Sequence, residues 1–88
     1  MTPTIRRFAD LTGPQVAELL TERTILVQPL GAIEQHGPHL PLSTDSLVAT
    51  AVAEAAVSEV GEELDVWLLP TLEYTKSNEH AWSAGTVW

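Results

Sequence analysis

The chain alternates between stretches of helical and of extended hydrophobic patterning. From Arg6 to Glu22 it opens with a loop and then reads as a helix: Val16, Leu19 and Leu20 recur at helical spacing. Thr12 fits the N-cap and Pro14 the first turn. Thr24 to Leu30 is a short apolar run rich in β-branched residues, the pattern of a buried strand, and Pro29 and Gly31 end it. Asp45 to Leu64 gives the clearest helical pattern. Leu47, Val48, Ala51, Val52, Ala55, Ala56 and Val60 form an apolar stripe, with Glu54, Glu59, Glu62 and Glu63 largely off it. Ser43, Thr44 or Asp45 can cap this helix, and Gly61 falls near its end. Asp65 to Pro70 reads as a second buried strand.

Strand, helix, strand in that order predicts an α/β fold built on a β-α-β unit, with parallel strands and a right-handed crossover. Two parallel strands cannot form a stable sheet alone, and parallel sheets are covered on both faces. Val87 and Trp88 leave the apolar pattern open at the last position. The expectation is therefore that neighbouring strands and helices come from further sequence or from another chain.

Composition sharpens this picture. Eighty-eight residues suffice for one small domain, with 44% hydrophobic and 18% charged residues. A chain of this size buries only about 60–65% of the surface that it exposes when unfolded. Cysteine is absent, which removes disulfides, thiolate metal sites and cysteine nucleophiles. The formal charge is −8, with no basic stripe, so a nucleic-acid partner is not expected. No apolar run reaches the roughly 18–20 residues that span a bilayer, and none of signal-peptide type follows Arg6 and Arg7. No membrane partner is expected, and the expected location is cytoplasmic.

Between the first strand and the long helix, the segment from Gly31 to Thr44 holds two prolines and two glycines in fourteen residues. Regular structure is not expected there. Ile33, Leu40 and Leu42 nevertheless anchor it, as in a functional loop rather than a simple connector. Glu34, His36, His39 and Asp45 cluster in this region, beyond the carboxyl end of the first strand, where open α/β sheets bind ligands. Carboxylate oxygen with imidazole nitrogen suits zinc, manganese and similar divalent ions. Plain structural roles also fit: Asp45 as a helix cap, His36 and His39 as hydrogen-bonded loop histidines. Glu34 follows the apolar pair Ala32 and Ile33, and a buried carboxylate needs a cation or strong donors.

The run Leu30-Gly31-Ala32-Ile33-Glu34-Gln35-His36-Gly37-Pro38-His39-Leu40-Pro41-Leu42-Ser43-Thr44-Asp45 resembles the signature of the creatininase family at nearly every position. The resemblance implies a larger three-layer α/β/α fold, of which residues 1–88 are the N-terminal portion of a single domain. It implies two divalent ions, zinc or manganese, with Glu34, His36 and Asp45 as ligands and Asp45 bridging. No ligand role carries over to His39. Tyr74 to His80, followed by Gly85-Thr86, resembles the family's loop beside the substrate pocket, with Ser77, Glu79 and His80 as candidate substrate contacts. Thr75 stands where glycine is common, and Ala84 where proline is common, which leaves the substrate open.

The implied activity is hydrolysis of a carbon–nitrogen bond in a small amide: a cyclic amide, a formamide or, in one branch, a peptide bond. Water activated by the ions would attack, and a nearby acid would protonate the departing nitrogen. The family's remaining ligands, a histidine and a glutamate, come from a later segment. Little activity is therefore expected of these 88 residues alone, and a homo-oligomer (often a hexamer in the family) or a complementing second chain is the expected partner. Two other readings stand beside the enzyme: an accessory or remnant subunit that assembles through its β-α-β unit, and a structural metal site of His36, His39 and His80. Trp67 is expected in the core, and Trp82 and Trp88 at packing or interface positions.

Overall fold

The computed structural model of the chain describes residues 5–87. Its elements are a 3-10 turn at Phe8–Asp10, helix α1 at Gly13–Leu19, strand β1 at Ile25–Val27, helix α2 at Thr44–Leu64, strand β2 at Val66–Leu68 and a second 3-10 turn at Asn78–His80. Strands β1 and β2 are parallel and in register, Ile25 opposite Val66 and Val27 opposite Leu68. The predicted β-α-β unit of an α/β fold is present. No helix among the described residues is long and apolar enough to cross a membrane. Trp88 lies outside the described residues.

The chain divides into two compact units, one of residues 1–28 and 53–70 and the other of residues 29–52 and 71–88. The first unit holds the sheet and its core. Ala53 and Val57 of α2 pack with Val66 and Leu68 of β2, and Ile5, Val27 and Val60 lie partly buried against them. Thr12 caps α1 as expected: its hydroxyl accepts from the Gln15 N–H while the Gln15 side chain accepts from the Thr12 N–H.

Arg6 and Asp65 tie this unit's ends together. The Arg6 guanidinium lies 2.9 Å from the Asp65 carboxylate, donates to the Gly61 carbonyl and stacks 4.2 Å from the centre of the Trp67 ring. The Thr24 hydroxyl donates to the other Asp65 oxygen at 2.7 Å. Thr24 first, and Arg6 with it, hold the Asp65 carboxyl below its ordinary value of 3.8.

Four expectations change. Helix α2 ends at Leu64 as expected, but Asp65, at φ 54°, rather than Gly61 takes the left-handed position after it. Gly61 serves close packing instead, since a Cβ there would meet the Arg6 side chain and the Val66 carbonyl at 3.1 and 3.3 Å. The expected apolar stripe of α2 is not its buried face. Leu47, Val48 and Val52 are 59%, 59% and 65% exposed, whereas Ser46, Ala53 and Val57 are buried. Strand β1 is likewise mostly exposed, because β2 alone among the named strands pairs with it. Trp67 is half-buried, between Arg6 and the core edge.

Candidate metal centre

The second unit contains every residue of the candidate site. Its backbone is laid out by short pairings: Leu30 bridges Leu72 in parallel, and Ile33 bridges Val87 in antiparallel fashion. The Gly31 N–H donates to the Leu72 carbonyl at 2.7 Å, and the Val87 N–H to the Ile33 carbonyl at 2.8 Å. These bonds fasten the 71–87 segment on both sides of Ala32 to Gln35. The loop is irregular, as its Pro and Gly content dictates, but it is not loose: Gly31, Ala32 and Glu34 are all buried.

Helix α2 begins where this loop returns. The Thr44 hydroxyl donates to the Pro41 carbonyl at 2.6 Å, and the Leu47 N–H to the Ser43 carbonyl at 2.9 Å. Asp45 therefore sits inside the first turn, where a carboxylate favours the helix dipole, and not at the cap. Its side chain turns to His36, with Nε2 3.0 Å from Oδ1. Ser46, one residue on, is buried and donates its hydroxyl to the Ala32 carbonyl at 3.2 Å, seating the helix start on the loop.

Glu34, His36 and Asp45 form one group whose ligand-type atoms all lie within 4.8 Å of one another. Two donors about 2.1 Å from a common ion lie roughly 3.0–3.4 Å apart at octahedral or tetrahedral angles. The His36–Asp45 separation of 3.0 Å falls in that range. The Nδ1 of His36 makes a long 3.4 Å contact with the Glu34 carbonyl. Without an ion, an Nε2–H donated to Asp45 satisfies the 3.0 Å contact; with an ion between them, Nε2 and Oδ1 would be its ligands. The donor set and its spacing fit a divalent ion.

Glu34 also belongs to a second group, with Glu79 and His80. Its carboxylate accepts the Ser77 hydroxyl, and Ser77 has no exposed surface. Ser77 thus reaches Glu34 rather than the outside. Glu79 is exposed and His80 half-buried, with Nδ1 3.0 Å from the Gln35 side-chain nitrogen. His39 is exposed and belongs to neither group among the described residues, so the alternative trio of His36, His39 and His80 is not assembled. Trp82 is 80% exposed, its indole N–H donating to the Glu79 carbonyl at 3.0 Å. The sequence reading passed over Gln35. Its place between Glu34 and His36 was the available signal.

A parallel β-α-β unit with a carboxylate and histidine cluster in the loop after its first strand defines a part of an α/β fold with a candidate metal centre. The chain belongs to the creatininase family, whose model, described as creatinine amidohydrolase, matches residues 9–88. It is similar to the mycofactocin precursor peptide peptidases of Mycobacterium ulcerans (strain Agy99), 48% identical, and Mycobacterium tuberculosis (strain ATCC 25618 / H37Rv), 40% identical. Each match covers 97% of this chain and 35% of the relative. The creatinine amidohydrolase of Pseudomonas putida is 38% identical over 57% of this chain and 18% of its own length. Among solved structures, a mutant creatininase matches with a TM-score of 0.67 and 27% identity, covering 96% of this chain and 34% of that one. The chain thus spans about a third of the length of these peptidases.

Proposed function

We propose that this chain supplies the metal-binding part of the active site of an amidohydrolase, with Glu34, His36 and Asp45 as ligands to divalent zinc or manganese. The observation that carries the reading is buried Glu34, a carboxylate that no ion pair among the described residues reaches, gathered with His36 and Asp45 into one ligand-type group. When bound, two such ions would supply an activated water and polarise an amide carbonyl. The chain's own residues do the holding. Ser77 fixes the Glu34 carboxylate, the first turn of α2 fixes Asp45, and the Glu34 carbonyl fixes the His36 ring.

The substrate is an amide whose carbon–nitrogen bond is hydrolysed. The peptidase relatives match over 97% of this chain, against 57% for the creatinine amidohydrolase, which favours a peptide amide. A small cyclic amide or formamide is the second reading, supported by that creatinine amidohydrolase match. Glu79 and His80, near Glu34, are proposed as substrate contacts. We read residues 1–88 as the N-terminal portion of a single creatininase-like domain. A homo-oligomer or a complementing chain would cover exposed Leu47, Val48 and Val52.

Isothermal titration of the chain with zinc and with manganese tests the core of this reading. Wild-type protein should bind, and Asp45→Ala and Glu34→Ala should each weaken binding at least tenfold. Unchanged affinity in both variants would remove these residues as ligands. An accessory subunit without metal function would show no binding in the wild type either.

A further inference from the structure

Gln35 lies between two candidate ligands, yet its side chain faces neither. Its Oε1 accepts the Gly37 N–H at 3.1 Å, and Gly37 is held at φ 73°. That bond fixes which way the amide points, because an N–H can meet only the carbonyl oxygen. The NH2 group is thereby turned to His80, with Nε2 of Gln35 3.0 Å from Nδ1 of His80. The backbone of Gln35 adds a second tie to the same segment: its N–H donates to the Thr86 hydroxyl at 3.1 Å.

An amide NH2 only donates, so Nδ1 of His80 must accept. A neutral imidazole that accepts at Nδ1 carries its proton at Nε2. We propose that Gln35 is a positioning residue that fixes His80 as an Nε2–H hydrogen-bond donor, available to a carbonyl or carboxylate oxygen of the substrate. The proposal deepens the amidohydrolase reading and rests on it for the substrate class. It divides the labour around Glu34. With an ion present His36 would ligate through Nε2, which lies 3.0 Å from Asp45 Oδ1, whereas His80 has no lone pair at Nε2 to offer an ion and one at Nδ1 already engaged.

Long-range proton–nitrogen NMR of the 88-residue chain labelled with nitrogen-15 reads the tautomer of each histidine directly. His39 is exposed and serves as an internal reference for an unconstrained ring. In the wild type, His80 should show a fuller Nε2–H population than His39. Gln35→Leu should return His80 to His39-like shifts. Gln35→Glu keeps an acceptor for Gly37 but presents only acceptors to His80, so the proton should move to Nδ1. A wild-type His80 that matches His39, or one unmoved by Gln35→Glu, overturns the proposal. Adding zinc separates this proposal from the metal reading. Zinc shifting His36 while His80 keeps its Nε2–H supports the proposal, whereas zinc replacing that proton overturns it and leaves the metal reading standing. Absence of any zinc effect would count against the metal reading alone, because the tautomer is read in metal-free protein.

Discussion

The hydroxyl of Ser77 donates to the carboxylate of Glu34 at a point where Ser77 has no exposed surface and Glu34 is only 8% exposed. The two residues come from segments 43 positions apart, and the bond fastens the loop after β2 to the loop after β1. A buried carboxylate held by a hydroxyl still lacks a counter-charge, since a hydroxyl supplies a dipole and no net charge. Among the described residues, ion pairs reach Asp65, Glu54 and Asp45 but not Glu34. The pair is thus better suited to orienting a carboxylate for an added cation than to neutralising it.

Ser77→Ala should therefore both destabilise and disorient. Removing one partner of a buried acceptor costs about 1–3 kcal/mol. Urea unfolding followed by tryptophan fluorescence should show that loss, and Ser77→Thr should recover part of it by restoring a hydroxyl. A Ser77→Ala variant as stable as the wild type would mean that Glu34 reaches water once the hydroxyl is gone.

Metal should stabilise the fold, and the stabilisation should run through His36. A ligand that binds only the folded state adds about 2.7 kcal/mol at a hundred times its dissociation constant. Thermal unfolding midpoints should rise with added zinc, fall back when a chelator is added, and respond far less to zinc in His36→Ala. An equal zinc response in His36→Ala would place the ion elsewhere. A zinc response that survives Glu34→Ala as well would revive a structural site built on other histidines.

Gly31 connects sequence to site through space alone. A Cβ at this position would lie 2.5 Å from the Ser46 Cα and closer still to its hydroxyl, with backbone rather than a flexible tip in the way. Gly31→Ala must push the start of α2 off the loop, at a cost of about 1–3 kcal/mol for overpacking. Asp45 is the neighbour of Ser46, so the same displacement should weaken zinc binding. Normal stability and normal zinc affinity in Gly31→Ala would show that α2 can shift without disturbing Asp45.

Much of this was legible in the chain, and the failures have separate causes. The Thr12 cap with Pro14 behind it, and the β-branched run before Pro29, are local signals, and they gave α1 and β1 near their observed places. The loop cluster of Glu34, His36, His39 and Asp45 was legible as ligand-type residues among glycines and prolines, while the choice of Glu34, His36 and Asp45 among them came from the resemblance to the creatininase family. The buried face of α2 was not legible. Periodicity selected the stripe of Leu47, Val48 and Val52, whereas the fold buries Ser46, Ala53 and Val57, a face on which two of the three side chains are small enough to permit close approach. Gln35 was passed over for a different reason: an amide's role depends on two partners far apart in sequence, Gly37 beside it and His80 beyond the second strand.

The last prediction concerns acid. Thr24 and then Arg6 hold the Asp65 carboxyl below 3.8, so the folded state binds that proton less readily than the unfolded chain does. A depressed carboxyl contributes stability that is fully present well above 3.8. It is lost as pH falls below 3.8 towards the folded-state value. Asp65→Asn removes the charge while keeping a residue that tolerates the positive φ of 54°, so it isolates the electrostatic part. Unfolding free energies of wild type and Asp65→Asn should differ most near neutral pH, with the wild type more stable. The gap should narrow below about pH 4, where protonation removes the charge in both states. Thr24→Val should narrow it in the same direction at neutral pH, because Thr24 contributes the largest share of the depression. A gap that stays constant down to pH 2 would mean that Asp65 acts through its hydrogen bonds and backbone conformation, with its charge contributing nothing.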